Sequence, residues 1–329
     1  MELKASRIAE LIFHLIYNNI ASHDEGTIAR AVNNRFTGFR SELEFVKLCR
    51  DNNRTILSGG CFLPLRSGQP TLEAPLYFTF DFESPDHYLN LYREIAKMPL
   101  SKLVYVNADE EAGWKETPLY GMTFPVPGFR CFDFQNNGFR DTSGFAPGLS
   151  YLTGHYTPRQ PFVQQITADP ALIKRCCDLI SGYPSRDLLG LYLTRLIFDG
   201  FIGFSHYRGI PSDIDCVVVD SRGRLRLYEV KEKDLSKTKP VGFGIDVQRY
   251  HDCLGISLKT GLPYYYMVRH VDNQQERNFI GWKYISFAEF DAKMDPGDIK
   301  NGRTGMNTAG DGNNPTFMLG REFFHELKI

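Results

Sequence analysis

Between Pro211 and Lys233 the chain reads P-S-D-I-D-C-V-V-V-D-S-R-G-R-L-R-L-Y-E-V-K-E-K, and this segment restricts the fold more than any other. Ser221-Arg222-Gly223 suits a three-residue hairpin loop whose last position needs a left-handed backbone, the conformation glycine adopts at least cost. Asp220 then faces Arg224. Counting outward along the antiparallel pair sets Asp215 opposite Glu229, and the two-residue period of a strand puts Lys231 on the same face as Glu229. The rest of the two strands, Cys216 to Val219 with Leu225, Leu227, Tyr228 and Val230, is the apolar and β-branched stock of a buried sheet. A buried sheet is thus expected to end in two carboxylates and an ammonium.

Two carboxylates at bonding distance raise each other's pKa unless a cation lies between them. Their hard oxygens select Mg²⁺ or Mn²⁺. Such an ion polarises a phosphate oxygen and lowers the pKa of a bound water. The ammonium of Lys231 suits a second task, orienting the attacking water and offsetting charge that develops in the transition state. A lone E-x-K on an exposed sheet face would instead be a solvated ion pair. The paired acid and the hairpin register favour a site.

The segment is similar to the PD-(D/E)XK nuclease superfamily, the restriction-endonuclease-like enzymes, and the resemblance covers about the last half of the chain. It implies an α/β fold with a mixed sheet whose core runs helix, three strands, helix, strand. It also implies that Asp215 and Glu229 hold Mg²⁺ or Mn²⁺, that Lys231 is the catalytic lysine and that Gln248, on the second helix, assists. Asp213 competes with Asp215 for the first acid. The stretches that fit the order are helix Asp187 to Asp199, strand Phe201 to His206, the hairpin, helix Ile245 to Lys259 and strand Pro263 to Val271. Relatives often carry a glutamate on the first helix, and none lies between Asp187 and Asp199. Either Asp187 takes that place or the site holds one metal. The implied activity is hydrolysis of DNA phosphodiesters in restriction or phage defence, by a homodimer if the target is duplex and palindromic, alone or with a defence-system partner protein. A resolvase-like repair nuclease and a non-catalytic DNA-binding subunit are the alternatives.

A chain of 329 residues with 42% hydrophobic content forms two domains or one elaborated domain. The division expected is an N-terminal α/β domain over 1–165 and the nuclease domain over 166–329. Helix Ser6 to Asn19 opens the first half. Helices Thr27 to Phe36 and Ser41 to Arg50, strands Thr55 to Leu65 and Pro75 to Phe82, helix Pro85 to Lys97 and strand Lys102 to Asn107 follow. That order echoes the nuclease core, but Asp81-Phe82-Glu83 is followed by no lysine at the required place, so the copy would be degenerate. Glu111 to Pro161, rich in glycine, proline and aromatics, reads as ordered loops.

Seven cysteines without a C-x-x-C pair suggest a reducing compartment and no zinc site. No apolar run reaches the length of a membrane span and no signal peptide is legible at the start, so the expected location is the cytoplasm, away from membranes. The net charge of −1 provides no general attraction to nucleic acid. DNA would need a local basic cleft, for which Arg222, Arg224, Arg226, Lys231 and Lys233 are the candidates.

Overall fold

The computed structural model describes residues 3–20, 24–65, 69–142, 167–202, 211–302 and 314–327. They belong to two compact units, Met1–Phe39 with Gly60–Asp213 and Arg40–Gly59 with Ile214–Ile329. The division expected between residues 165 and 166 differs from this one, because the second unit takes its opening helix and strand from the N-terminal half.

Helix α1 (Ala5–Asn19) buries Ile8, Leu11, Ile12, Leu15 and Ile16, the stripe that its spacing predicts. The two helices expected over 27–36 and 41–50 are one, α2 (Glu25–Asp51). Gly38 lies inside it, and an interior glycine weakens a helix by only about 1 kcal/mol, too little to break one held by packing. Strand β1 (Thr55–Ser58) follows, and then the first unit resumes with β2 (Gly60–Leu63), β3 (Leu76–Asp81) and helix α3 (Leu89–Ile95). Strands β4 (Lys102–Leu119), β5 (Met122–Gln135) and β6 (Gly138–Asp141), helices α4 (Pro170–Asp178) and α5 (Ser185–Arg195) and the short strand β7 (Ser212–Asp213) complete it.

The stretch expected as loops from Glu111 is therefore strand as far as Asp141 apart from the two tight turns between β4, β5 and β6; 143–161 lie outside the described residues. Pro125 and Pro127 sit in β5 opposite Glu116 and Trp114 of β4, whereas β5 meets β6 only from Phe132 onward. A strand tolerates proline where one of its edges is unpaired.

The second unit continues with β8 (Cys216–Val219), β9 (Leu225–Lys233), β10 (Gly242–Asp246), helix α6 (Val247–Thr260) and β11 (Tyr264–Val271). Then come β12 (Phe279–Ser286), helix α7 (Phe287–Lys293), β13 (Ile299–Gly302), β14 (Asn314–Gly320) and β15 (His325–Glu326). Its 6-stranded sheet has the order β1-β8-β9-β11-β12-β15, and β10-β14-β13 form a 3-stranded one. Phe45 and Cys49 of α2 pack on Cys216, Val218, Tyr228, Val230, Met267 and Trp282. The alternate residues point the other way: Tyr266 stacks on Phe287, and Tyr250 of α6 meets Phe287, Phe290 and Phe317. Covered on both faces, the sheet has no use for a polar alternation, which is why β8 reads C-V-V-V.

Along the chain, this unit runs α2 from Arg40 onward, β1, then, after Gly60–Asp213 of the first unit, β8, β9, β10, α6 and β11, with β1–β8 and β8–β9 antiparallel and β9 parallel to β11. The segment expected to open that order, Asp187 to Asp199, is instead α5 and the start of a π-helical turn in the first unit, and 203–206 lie outside the described residues. The first unit's sheet, β6-β5-β4-β3-β2-β7, repeats the same pattern: read from β7, its pairings are antiparallel, antiparallel, parallel, antiparallel, antiparallel. Strand β1 leads directly into β2 yet pairs with β8, and β7 leads into β8 yet pairs with β2. Among the described residues no helix is long and apolar enough to cross a membrane.

Candidate active site

The hairpin between β8 and β9 has the register that its turn predicts. Gly223 is left-handed at φ 75°. Its N–H donates to the Asp220 carbonyl at 2.9 Å, and the Asp220 N–H donates to that of Arg224 at 3.0 Å. Pairs run from Val219 opposite Leu225 to Cys216 opposite Tyr228, and one step further along the same count stand Asp215 and Glu229.

At that end the three expected groups meet. The N–H of Val230 donates to Asp215 Oδ2 at 2.6 Å, fixing the first carboxylate against the neighbouring strand. Lys231 Nζ lies 3.3 Å from Asp215 Oδ2 and 2.6 Å from Glu229 Oε1. Glu229 exposes none of its side chain and Asp215 6%, while Lys231 keeps 37%. Burial opposes the charge on Lys231, but Asp215 and Glu229 outweigh it, with help from Glu42, and hold the ammonium well above its ordinary pKa. An ammonium so held beside two carboxylates is placed to orient a nucleophile.

Gln248 is not brought to this group: its Nε2 donates to Asp252 Oδ1 at 2.9 Å, one turn along α6. The next residue reaches the acids instead. Arg249 Nη2 hydrogen-bonds Glu229 Oε2 and lies 4.0 Å from Asp215 Oδ1. Successive residues of a helix point about 100° apart, so the choice between Gln248 and Arg249 depends on the rotation of α6 about its axis. Asp246 sets it as N-cap, accepting from the Arg249 N–H at 3.1 Å.

Of the other expected acids, Asp213 lies in β7 and Asp187 in α5, both in the first unit. Glu42 of α2, which the sequence reading did not single out, is close enough to act on the charge of Lys231; its signal was an acid on the helix that precedes Thr55. Of the cations expected to form a basic cleft, Arg224 and Arg226 share Asp220, at 2.8 and 3.5 Å, at the turn end of the hairpin. Lys233, on the strand face shared with Glu229 and Lys231, has its pKa lowered by burial first and by Lys231 second.

Among the described residues no group of three or more His, Cys, Asp or Glu is arranged to hold a metal ion. Asp215 and Glu229 nevertheless supply a usable donor set, because Mg²⁺ is commonly held by one or two carboxylates and keeps several waters. On β3, the strand at the corresponding place of the first sheet, the side chains toward α3 are Tyr77 and Thr79. Thr79 Oγ1 donates to Tyr77 Oη at 3.1 Å, while Tyr92 Oη accepts from the Thr79 N–H and donates to the Val104 carbonyl. Hydroxyls and rings that satisfy one another offer a metal nothing. Searches against protein families, curated proteins and solved structures found no match to the chain.

Proposed function

We propose that the protein is a metal-dependent DNA endonuclease of the PD-(D/E)XK type, with the restriction-endonuclease-like core in the second unit and a degenerate copy of it in the first. One observation carries the reading: Asp215, Glu229 and Lys231 converge where the start of β8 meets β9, in a sheet whose strands β1, β8, β9 and β11 follow the helix α2 and have α6 between the last two, with β10 of the smaller sheet preceding α6. Asp215 and Glu229 would hold Mg²⁺ or Mn²⁺, which supplies Lewis-acid polarisation of the phosphate and a water of lowered pKa. Lys231 orients the nucleophile and offsets the charge that builds on the phosphate. Its exposure, against none at Glu229, leaves it the group of the three most open to substrate. Restriction or phage defence in the cytoplasm, with a homodimer cutting both strands, is the setting that fits such an enzyme.

A second reading, a DNA-binding subunit without catalysis, draws on the two cations that already balance Asp215 and Glu229. Plasmid and single-stranded DNA incubated with Mg²⁺ or Mn²⁺, against EDTA, separates the two. Metal-dependent cutting, lost in Lys231→Ala and Asp215→Ala, is expected of the enzyme; DNA binding without cutting under any metal would leave the subunit.

A further inference from the structure

The acid pair is approached by two cations from two elements. Lys231 comes from β9 itself, and Arg249 comes from the first turn of α6, with 15% of its side chain exposed. Arg249 engages the oxygens that Lys231 leaves: Glu229 Oε2 by hydrogen bond, and Asp215 Oδ1 at 4.0 Å. A guanidinium so placed faces both carboxylates as a divalent cation would, through a hydrogen bond to Glu229 and ion-pair range to Asp215. A buried carboxylate needs a partner charge, and Lys231 and Arg249 supply two to Glu229.

From this we infer that Arg249 is the resident counter-ion of the acid pair, holding Asp215 and Glu229 in place of a divalent cation and giving way when one binds. The inference rests on the metal reading proposed above. Two positive centres on the same oxygens repel strongly at this range, so a bound ion and the Arg249 contacts exclude each other. The backbone of Arg249 is tied to Asp246, so the helix turn stays in place while the side chain swings on its own torsions. Metal affinity is then set by competition within the chain, and an otherwise complete site stays closed to metal at low concentration.

Calorimetric titration of the DNA-free protein with Mn²⁺ tests it without any cleavage step. Arg249→Gln is expected to bind Mn²⁺ at least about tenfold more tightly than the parent, since a charge within ~4–6 Å moves such equilibria by that order. Arg249→Lys should fall between the two, and Asp215→Asn should remove binding from all of them. An Arg249→Gln variant that binds Mn²⁺ no more tightly than the parent overturns the inference and leaves the metal site standing. Failure of the parent and both variants to bind Mn²⁺ overturns the inference together with the metal reading. Should circular dichroism show Arg249→Gln unfolded, Arg249→Lys, which keeps the charge, decides on the same criterion of tighter or unchanged affinity.

Discussion

Glu229 has no exposed side-chain surface and faces a cation on either side, so its charge is part of how the second unit holds together. Removing it leaves Lys231 and Arg249 facing a neutral group. Glu229→Gln is expected to cost about 3 kcal/mol, the order seen when one partner of a buried pair is lost. Gln248→Ala should change stability by less than about 0.5 kcal/mol and leave cleavage unaltered, because its partner is Asp252 and not the acids. Urea denaturation of the two variants checks both values. His270 gives a pH signature. Burial first, then Lys283 and Arg321, hold its pKa below the ordinary 6.5. The folded state thus favours the neutral ring, a contribution complete above pH 6.5 and lost as the pH falls below it. Melting temperatures from pH 7 to pH 5 should therefore fall further for the parent than for His270→Asn.

At the scale of elements, the pieces that depend on neighbours in sequence were legible. The hairpin register follows from a left-handed Gly223, and α6 ends at Gly261, left-handed at φ 76°, the conformation that glycine adopts at least cost at a helix end. Less legible was Gly59. A Cβ there would stand 1.6 Å from the Ile214 carbonyl oxygen, so β1 and the start of β8 pass too close for any side chain. Gly59→Ala is expected to destabilise the protein by about 3 kcal/mol, the upper range for overpacking, and a shifted denaturation midpoint with an unchanged slope is the check. The helix packed on the hairpin was the element misread. Asp187 to Asp199 and Ser41 to Arg50 both carry apolar residues at helical spacing. Only strand pairing, with Thr55 opposite Val219, selects α2.

Over the whole molecule, each compact unit draws on both halves of the chain, the second taking Arg40–Gly59 and the first extending to Asp213. Fragments 1–165 and 166–329 expressed separately should therefore fail to fold, each lacking a strand that its sheet requires; cooperative melting of either one alone would contradict the topology. Co-expressed, the fragments should recover a folded complex, since the missing strands are then present.

What the amino-acid order determined by itself is the local chemistry: the turn, the register, and three charged groups on one end of a buried hairpin. These depend on spacings of a few residues, where the periods of strand and turn leave little choice. The tertiary structure alone decided that Arg249 and not Gln248 meets the acids, that Glu42 of α2 comes near Lys231, and that β1 and β7 exchange places between sheets. Those outcomes turn on a helix's rotation and on pairings between residues far apart in the chain. Burial of a whole sheet face selects among such arrangements, and no short stretch of sequence carries that preference.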